Sequence, residues 1–439
     1  MKIPHIKNAY ENIKKECDAR LAEIYPFGIP KVAKERYEKE LEYLKTSEYL
    51  DEYELFRQLS GCCKKSSLTL ILRGTDAGSY LVYLMRNSLL NPLPTHYYCE
   101  KCGRFEVPNT RLFGIDLPSK KCPDCGELLV SNGFNIPIES VWGIDGKKVQ
   151  EFTYTVSEEF FPFARRVLEK NYPKNEVVPL GMLQGSLNGH DISTIHAGYI
   201  ILPEGQTMDD FPNMQGYLDD GEQCMSGNIW DINDSGLQRV QLLPFDRIKN
   251  LIEMQRKTGI YLDEISERDM KSISYKDLIN TKIYEEDQVS LFCQFTPKTF
   301  TEMCHLESFS HNTLKNAKTY STYRTEVLRK LKDKKEFVSV QCYTREDFFE
   351  ALLNAGMERE KAFAIAEFIR RGKAISCNQK YQDEWKKFDI PEDIRKVAEE
   401  YAYIFPRAHS VEYMLNDAMT AFYMKKDSRA YSRLINMKK

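Results

Sequence analysis

Four cysteines set as two CxxC pairs, Cys99-Glu100-Lys101-Cys102 and Cys122-Pro123-Asp124-Cys125, constrain this chain more than any other feature. Each pair makes a knuckle, a short turn that aims two sulfurs at one point. Two knuckles separated by a loop of roughly 15–20 residues close a tetrahedral thiolate site that suits zinc. Such a site has no open coordination position, so the expected Zn2+ is structural and does not activate water. The other cysteines, out of twelve, are scattered singly or form the adjacent pair Cys62-Cys63, unlike the dense framework of a small secreted protein. A reducing, cytoplasmic compartment is the expectation. The start, Met1-Lys2-Ile3-Pro4-His5, lacks the apolar core of a signal peptide, and no apolar run approaches the roughly 18 residues of a membrane span. No membrane partner is expected.

A chain of 439 residues can form two or three domains, each with its own core. The net charge of −3 conceals an asymmetry: from His311 onward there are 26 Lys+Arg against 19 Asp+Glu, while the first 310 residues carry 36 against 46. A domain that tracks phosphates is basic over its contact face, so on this ground alone only the C-terminal part suits nucleic acid. The run Arg329-Lys330-Leu331-Lys332-Asp333-Lys334-Lys335 reads as a solvated helix end.

Residues 33–59 carry Tyr, Leu and Phe at helical spacing, which predicts one or two amphipathic helices. Ser67 to Leu72 reads as a buried strand, and Arg73-Gly74-Thr75-Asp76-Ala77-Gly78-Ser79 as a tight loop opening a helix from Tyr80 to Met85. A loop of that kind leaves backbone N–H groups free at a helix start, a natural seat for phosphate. Further strands are predicted over Val149–Val156, Gly198–Pro203 and Gly236–Leu243, with Ser157 capping a helix over Glu158–Lys170. Beyond Phe245 helices dominate. One has Thr344 as N-cap, Asp347 at the capping-box position and Gly356 as terminator; another runs over Lys361–Arg371, and a third over Pro391–Ile404.

Taken in order, these pieces resemble the polymerase core of the PolC-type DNA polymerase III alpha subunit, a C-family DNA polymerase. The resemblance runs from about Arg36 to the C-terminus. It is carried by the Arg73–Ser79 loop, Asn91-Pro92-Leu93-Pro94-Thr95-His96-Tyr97, Asp116-Leu117-Pro118, Asn135-Ile136-Pro137 and Val156-Ser157-Glu158-Glu159-Phe160. It continues through Ile195-His196-Ala197-Gly198-Tyr199-Ile200-Ile201-Leu202-Pro203, Pro297-Lys298-Thr299-Phe300 and Phe405-Pro406-Arg407-Ala408-His409.

The resemblance implies an α+β fold: a nucleotidyltransferase-type palm with a mixed sheet, an inserted four-cysteine zinc ribbon and a helical fingers-like C-terminal domain. The expected boundaries are 1–66 for an N-terminal helical part of the palm, 67–245 for the palm and 246–439 for the fingers-like domain. Within the palm, the ribbon is placed at 97–130 and a reduced thumb near 175–196. Family members join nucleotides by two-metal chemistry on an Asp-x-Asp pair and a third Asp on a neighbouring strand. Those positions fall on Glu151, Thr153 and Gln241. A hydroxyl and an amide cannot offset the repulsion of two divalent ions about 4 Å apart, so the Mg2+ pair is expected to be lost. The thumb stretch and a finger segment between Tyr284 and Pro297 are shortened, Asp76 puts an anion into the phosphate loop, and the family's attached domains are not represented.

The implied protein is a pseudopolymerase, a truncated and degenerate homologue that acts by binding DNA, a nucleotide or a replisome protein. Candidate phosphate or nucleic-acid contacts carried over from the family are Arg73, Gly74, Thr75, Gly78, Ser79, His196, Arg407 and His409. Two alternatives stand beside it: an active nucleotidyltransferase with ligands relocated among Asp76, Glu151, Asp231, Asp234 and Asp246, and a zinc-stabilised protein-interaction scaffold without nucleic acid.

Overall fold

The computed structural model describes residues 3–66, 68–85, 89–184, 193–227, 232, 234–235, 237–314, 342–376 and 378–436. Ser67, Asp231, residues 185–192 and the basic run 329–335 lie outside them. The fold is α+β, as expected. In chain order the strands are β1 (Leu70–Arg73), β2 (His96–Tyr98), β3 (Phe105–Glu106), β4 (Val130–Asn132), β5 (Thr153–Val156) and β6 (Val177–Gln184). They continue as β7 (Ser193–Ile201), β8 (Gln215–Tyr217), β9 (Gln223–Ser226), β10 (Gln238–Pro244), β11 (Thr313–Leu314) and β12 (Tyr401–Tyr403). Seven of them form a mixed sheet in the order β1-β5-β10-β7-β6-β9-β8, parallel at β5–β10 and at β6–β9 and antiparallel elsewhere.

The period-two alternation of the strands decides which side of the sheet is dry. Leu70, Leu72, Tyr154, Val156, Val240, Leu242, Tyr199 and Ile201 enter one core with Ile13, Leu21, Leu41, Leu44, Phe56 and Leu59 from the N-terminal helices Ala9–Ile24, Lys31–Thr46 and Leu50–Ser66. The other side presents Arg73, Thr153 and Gln241, which the register sets side by side across β1, β5 and β10, with Gly198 of β7 next in the row. Gly198 has φ +128°, and a Cβ there would lie 2.0 Å from the Val240 carbonyl oxygen, so the row closes only over glycine. Of the stretch expected as a reduced thumb, the described residues lie largely in β6 and the start of β7, paired antiparallel in this same sheet.

Several element boundaries differ from expectation. The run Val149–Phe152 is not strand: Asp76 Oδ2 accepts the Glu151 N–H at 2.7 Å, and the Thr153 N–H turns back onto the Glu151 carbonyl at 2.9 Å. β5 therefore begins at Thr153. Ser157 precedes a 3-10 turn, Glu158–Phe160, and the helix proper is Phe161–Asn171; the Ser157 hydroxyl is buried and caps nothing. The helix read over 391–404 stops at Ala398, because Tyr401–Tyr403 pairs with Thr313–Leu314. By contrast the Thr344/Asp347 capping box is present, and Gly356 ends that region at φ +87°.

From Asp246 to Asn436 the regular elements among the described residues are α-helices, apart from short 3-10 turns and the β11–β12 pair. The helix Arg407–Lys426 runs through the middle of this region and lies against the loop at 75–78. None of the helices among the described residues is long and apolar enough to cross a membrane.

Buried ions tie the helical part to the short helix Ile138–Trp142. Arg345 bonds Glu346 and Glu367, while Glu346 also accepts from Ser140 Oγ at 2.8 Å and the Arg407 N–H at 2.8 Å. Burial is the largest influence and would raise the Glu346 and Glu367 carboxyls, but Arg345 acting with Arg407 on Glu346, and with Arg370 and Lys148 on Glu367, together outweigh it and hold both at about 2. Burial pushes Glu52 up to about 7 and Asp76 and Asp417 up to about 6. The raised groups stabilise the fold below their ordinary values and lose that contribution as pH rises through 6–7; the depressed pair contributes above its ordinary value and is lost as pH falls toward 2. Lys148, lowered to about 7 by burial, has forfeited its share before pH falls below 7. His96 and His409, held at about 4 and about 3 by burial, act the other way below pH 6.5, because the unfolded chain takes up protons there that the folded chain refuses. The two sets oppose each other between pH 7 and 5, so thermal melts are expected to show little change in Tm over that range and a fall below about 4; a Tm that still rises below pH 4 contradicts this.

Candidate functional site

The positions that would carry the two-metal carboxylates do meet. Thr153 and Gln241 are Cα partners on parallel β5 and β10, and the Thr153 hydroxyl donates to Gln241 Oε1 at 3.4 Å. Glu151 lies two residues before β5, exposed, and parallel register sets it opposite Arg239. Its carboxylate is the charged group that bears on the Arg239 guanidinium, which burial lowers. Arg73 sits on the other flank of Thr153, exposed, with Nε and Nη2 both donating to the Tyr413 hydroxyl at 3.1 and 2.5 Å. The face thus combines one carboxylate with two guanidinium groups and two neutral side chains. Divalent magnesium requires several hard anionic oxygens at short range, and this donor set does not fit a pair of such ions.

Relocated ligands find little support. Asp76 is buried and committed to the Glu151 backbone, and Asp234 is exposed. Among the described residues, the one group of three or more His, Cys, Asp or Glu side chains able to converge on an ion is the cysteine quartet.

The glycine-rich loop is occupied by the protein itself. Glu40, fully buried on the helix Lys31–Thr46, accepts from Ser79 Oγ at 2.6 Å, from the Tyr80 N–H at 3.0 Å and from the Leu81 N–H at 3.3 Å. Arg36, one turn earlier, bonds Glu40 at 2.5 Å and reaches the carbonyls of Gly78 and Ile136. The helix start where a phosphate would sit already holds an anion. Gly78 and Ser79 are buried, Gly74 and Thr75 are half-buried, and a Cβ on Gly74 would meet the His409 ring at 3.3 Å.

The carried-over His and Arg positions are likewise engaged. His196 bonds the Gly198 carbonyl at 2.8 Å and stacks on Phe161 with ring centroids 4.1 Å apart. Arg407 is buried between the Asn135 carbonyl at 2.6 Å, Glu350 at 2.6 Å and Asp347 at 2.8 Å, so it fastens helices and the 135–137 segment together. His409 packs against Phe405 and the Gly74 loop, and burial, helped by Arg73, drives its pKa down to about 3. It stays neutral at physiological pH. Glu40 and Arg239 were not singled out by sequence. For Arg239 the signal was there, since it stands two residues before Gln241 and period two puts both on one face.

The cysteine knuckles form as read. The Gly103 N–H returns to the Cys99 carbonyl and the Gly126 N–H to the Cys122 carbonyl, each at 2.9 Å, with Gly103 at φ +76° and Gly126 at φ +75°. Two equivalent turns thus face each other. Sγ atoms of Cys99 and Cys125 are 3.4 Å apart, those of Cys102 and Cys122 3.5 Å, and all four lie within 4.8 Å of one another. Four sulfurs each about 2.3 Å from a tetrahedral centre would be about 3.8 Å apart, so the quartet fits a thiolate-bound metal ion. The three-stranded sheet β3-β2-β4 carries the knuckles. Asp116 anchors this insert by accepting from Phe300 N–H at 2.8 Å and Thr301 N–H at 2.7 Å at the start of the helix Phe300–His311.

Sequence comparison supplies relatives for this arrangement. The chain is 24% identical over 480 residues to the PolC-type DNA polymerase III of Caldanaerobacter subterraneus, covering 96% of this chain and 33% of that protein. It is 25% identical over 469 residues to the PolC-type DNA polymerase III of Thermotoga maritima (94% and 33%) and 25% identical over 481 residues to that of Halalkalibacterium halodurans (96% and 32%). No family model matches the chain. The chain is a homologue of PolC-type DNA polymerase III and spans about a third of the length of the curated relatives it matches.

Proposed function

We propose that this PolC homologue has a palm, a zinc ribbon and a fingers-like helical domain, and that it is a pseudopolymerase acting through nucleic-acid binding. The observation that carries the reading is the Thr153–Gln241 contact: the two strand positions that a two-metal enzyme would arm with carboxylates instead pair with each other as hydroxyl and amide. Glu151, the remaining acid, sits outside the strand beside Arg239. Electrostatics reinforces this, since two guanidinium groups at the site repel divalent cations and attract phosphates. A nucleotide triphosphate is disfavoured as the ligand because Glu40 already holds the loop's N–H groups. A replisome protein remains a compatible second partner, and the cytoplasm the compatible setting.

Primer extension with Mg2+ or Mn2+, run beside binding to primer–template DNA, tests this. The expected result is no incorporated nucleotide above the protein-free background, together with retained DNA binding. Incorporation that disappears in Glu151→Ala would establish an active enzyme and end the pseudopolymerase reading.

A further inference from the structure

We infer that the sheet face at Arg73 and Arg239 binds the phosphate backbone of a single-stranded polynucleotide directly, with no divalent ion between protein and phosphate. The inference rests on the nucleic-acid reading above and deepens it by naming the contact. Its first support is placement. Arg73 on β1 and Arg239 on β10 bracket the Thr153–Gln241 pair on one face, because the register sets Arg73, Thr153 and Gln241 in one row and Arg239 two residues before Gln241. Two strand spacings and two residues along put their Cα atoms about 10 Å apart across the sheet and about 7 Å apart along it. Arginine side chains reach inward over part of that gap, which lets them engage neighbouring phosphates of one strand.

The second support is preorganisation. The Tyr413 hydroxyl accepts from two nitrogens of Arg73, and the Tyr413 ring lies 5.6 Å from its guanidinium carbon, so the group is oriented without losing its charge to a carboxylate partner. Glu412, next to Tyr413 on the same helix, is buried, and that burial raises its carboxyl well above the usual range. The third support is charge balance. Among the described residues the register sets Glu151 as the acid beside Arg73 and Arg239, so the two arginines outnumber it locally, where a carboxylate triad would be strongly negative and would require metal ions before any phosphate could approach. Here the positive charge is covalently part of the protein. Between the arginines, the Gln241 amide NH2 adds a neutral donor that can bond phosphate oxygens while its oxygen accepts from Thr153.

The test uses the full chain and a fluorescent single-stranded oligothymidylate, followed by anisotropy across a salt series, with and without magnesium. Wild type is expected to bind equally well in both. Arg73→Gln/Arg239→Gln is expected to bind about tenfold more weakly and to flatten the plot of log affinity against log salt by about 1.4, two phosphates at about 0.7 each. Arg73→Lys/Arg239→Lys should keep most of the slope, which separates charge from folding, and retained metal content and circular dichroism check the fold. If wild type binds but the Gln variant matches it in affinity and slope, this contact is refuted while nucleic-acid binding stands. If binding requires magnesium, the metal-free contact is refuted. If wild type does not bind at all, both readings fall.

Discussion

Replacing Cys122 with serine is expected to lower bound zinc from about one equivalent to near zero and to unfold the insert around it. The ribbon cannot stand on its own apolar contacts. Its separate core is Tyr97, Cys99, Leu117, Cys122 and Leu129, and its strands are two or three residues long. Few apolar side chains over three short strands bury too little to offset the entropy of ordering the insert. Metal ligation fills the gap, since a structural thiolate site contributes on the order of 10–16 kcal/mol in small zinc-binding peptides. Cys122 is buried, its sulfur 3.5 Å from that of Cys102, so a serine leaves a three-thiolate site with one weak neutral oxygen. Amide exchange should then accelerate over residues 96–132. Protection beyond the insert should persist, because the insert's apolar cluster is separate from the main core. Full zinc content in Cys122→Ser, or exchange unchanged over the insert, refutes the assignment.

The parts of the fold that were legible in the sequence are those written in local chemistry. The knuckles need only six residues each, and the Thr344/Asp347 box and Gly356 stop are satisfied within a few positions of themselves. What escaped depends on partners distant in the chain. Tyr401–Tyr403 continues a helical stripe on paper, yet Thr313–Leu314, nearly ninety residues earlier, draws it into a ladder. Val149–Phe152 alternates like a strand, but Asp76 takes the Glu151 N–H that a neighbouring strand would have used. At the site, the resemblance found Arg73, Thr153 and Gln241, and the register brings them together; it did not find Arg239, the second cation on the same face.

Glu40→Ala is expected to cost roughly 3–5 kcal/mol, the range for breaking a buried, hydrogen-bonded ion pair from one side. In the sequence Glu40 is one of many glutamates on a charged helix, and Arg36 four residues before it looks like an ordinary surface pair. In the fold it is fully buried and accepts from Ser79 and the Tyr80 and Leu81 N–H groups. Alanine would leave three donors without their acceptor and Arg36 without its counter-ion, while the guanidinium still spans the Gly78 and Ile136 carbonyls. Glu40→Gln should cost less, because one amide oxygen still accepts although the amide NH2 faces donors. Urea unfolding would read this as a lower midpoint at unchanged slope. A shift under about 1 kcal/mol for the alanine variant would mean the loop does not depend on this anion, and the argument that the phosphate seat is already filled would lose its basis.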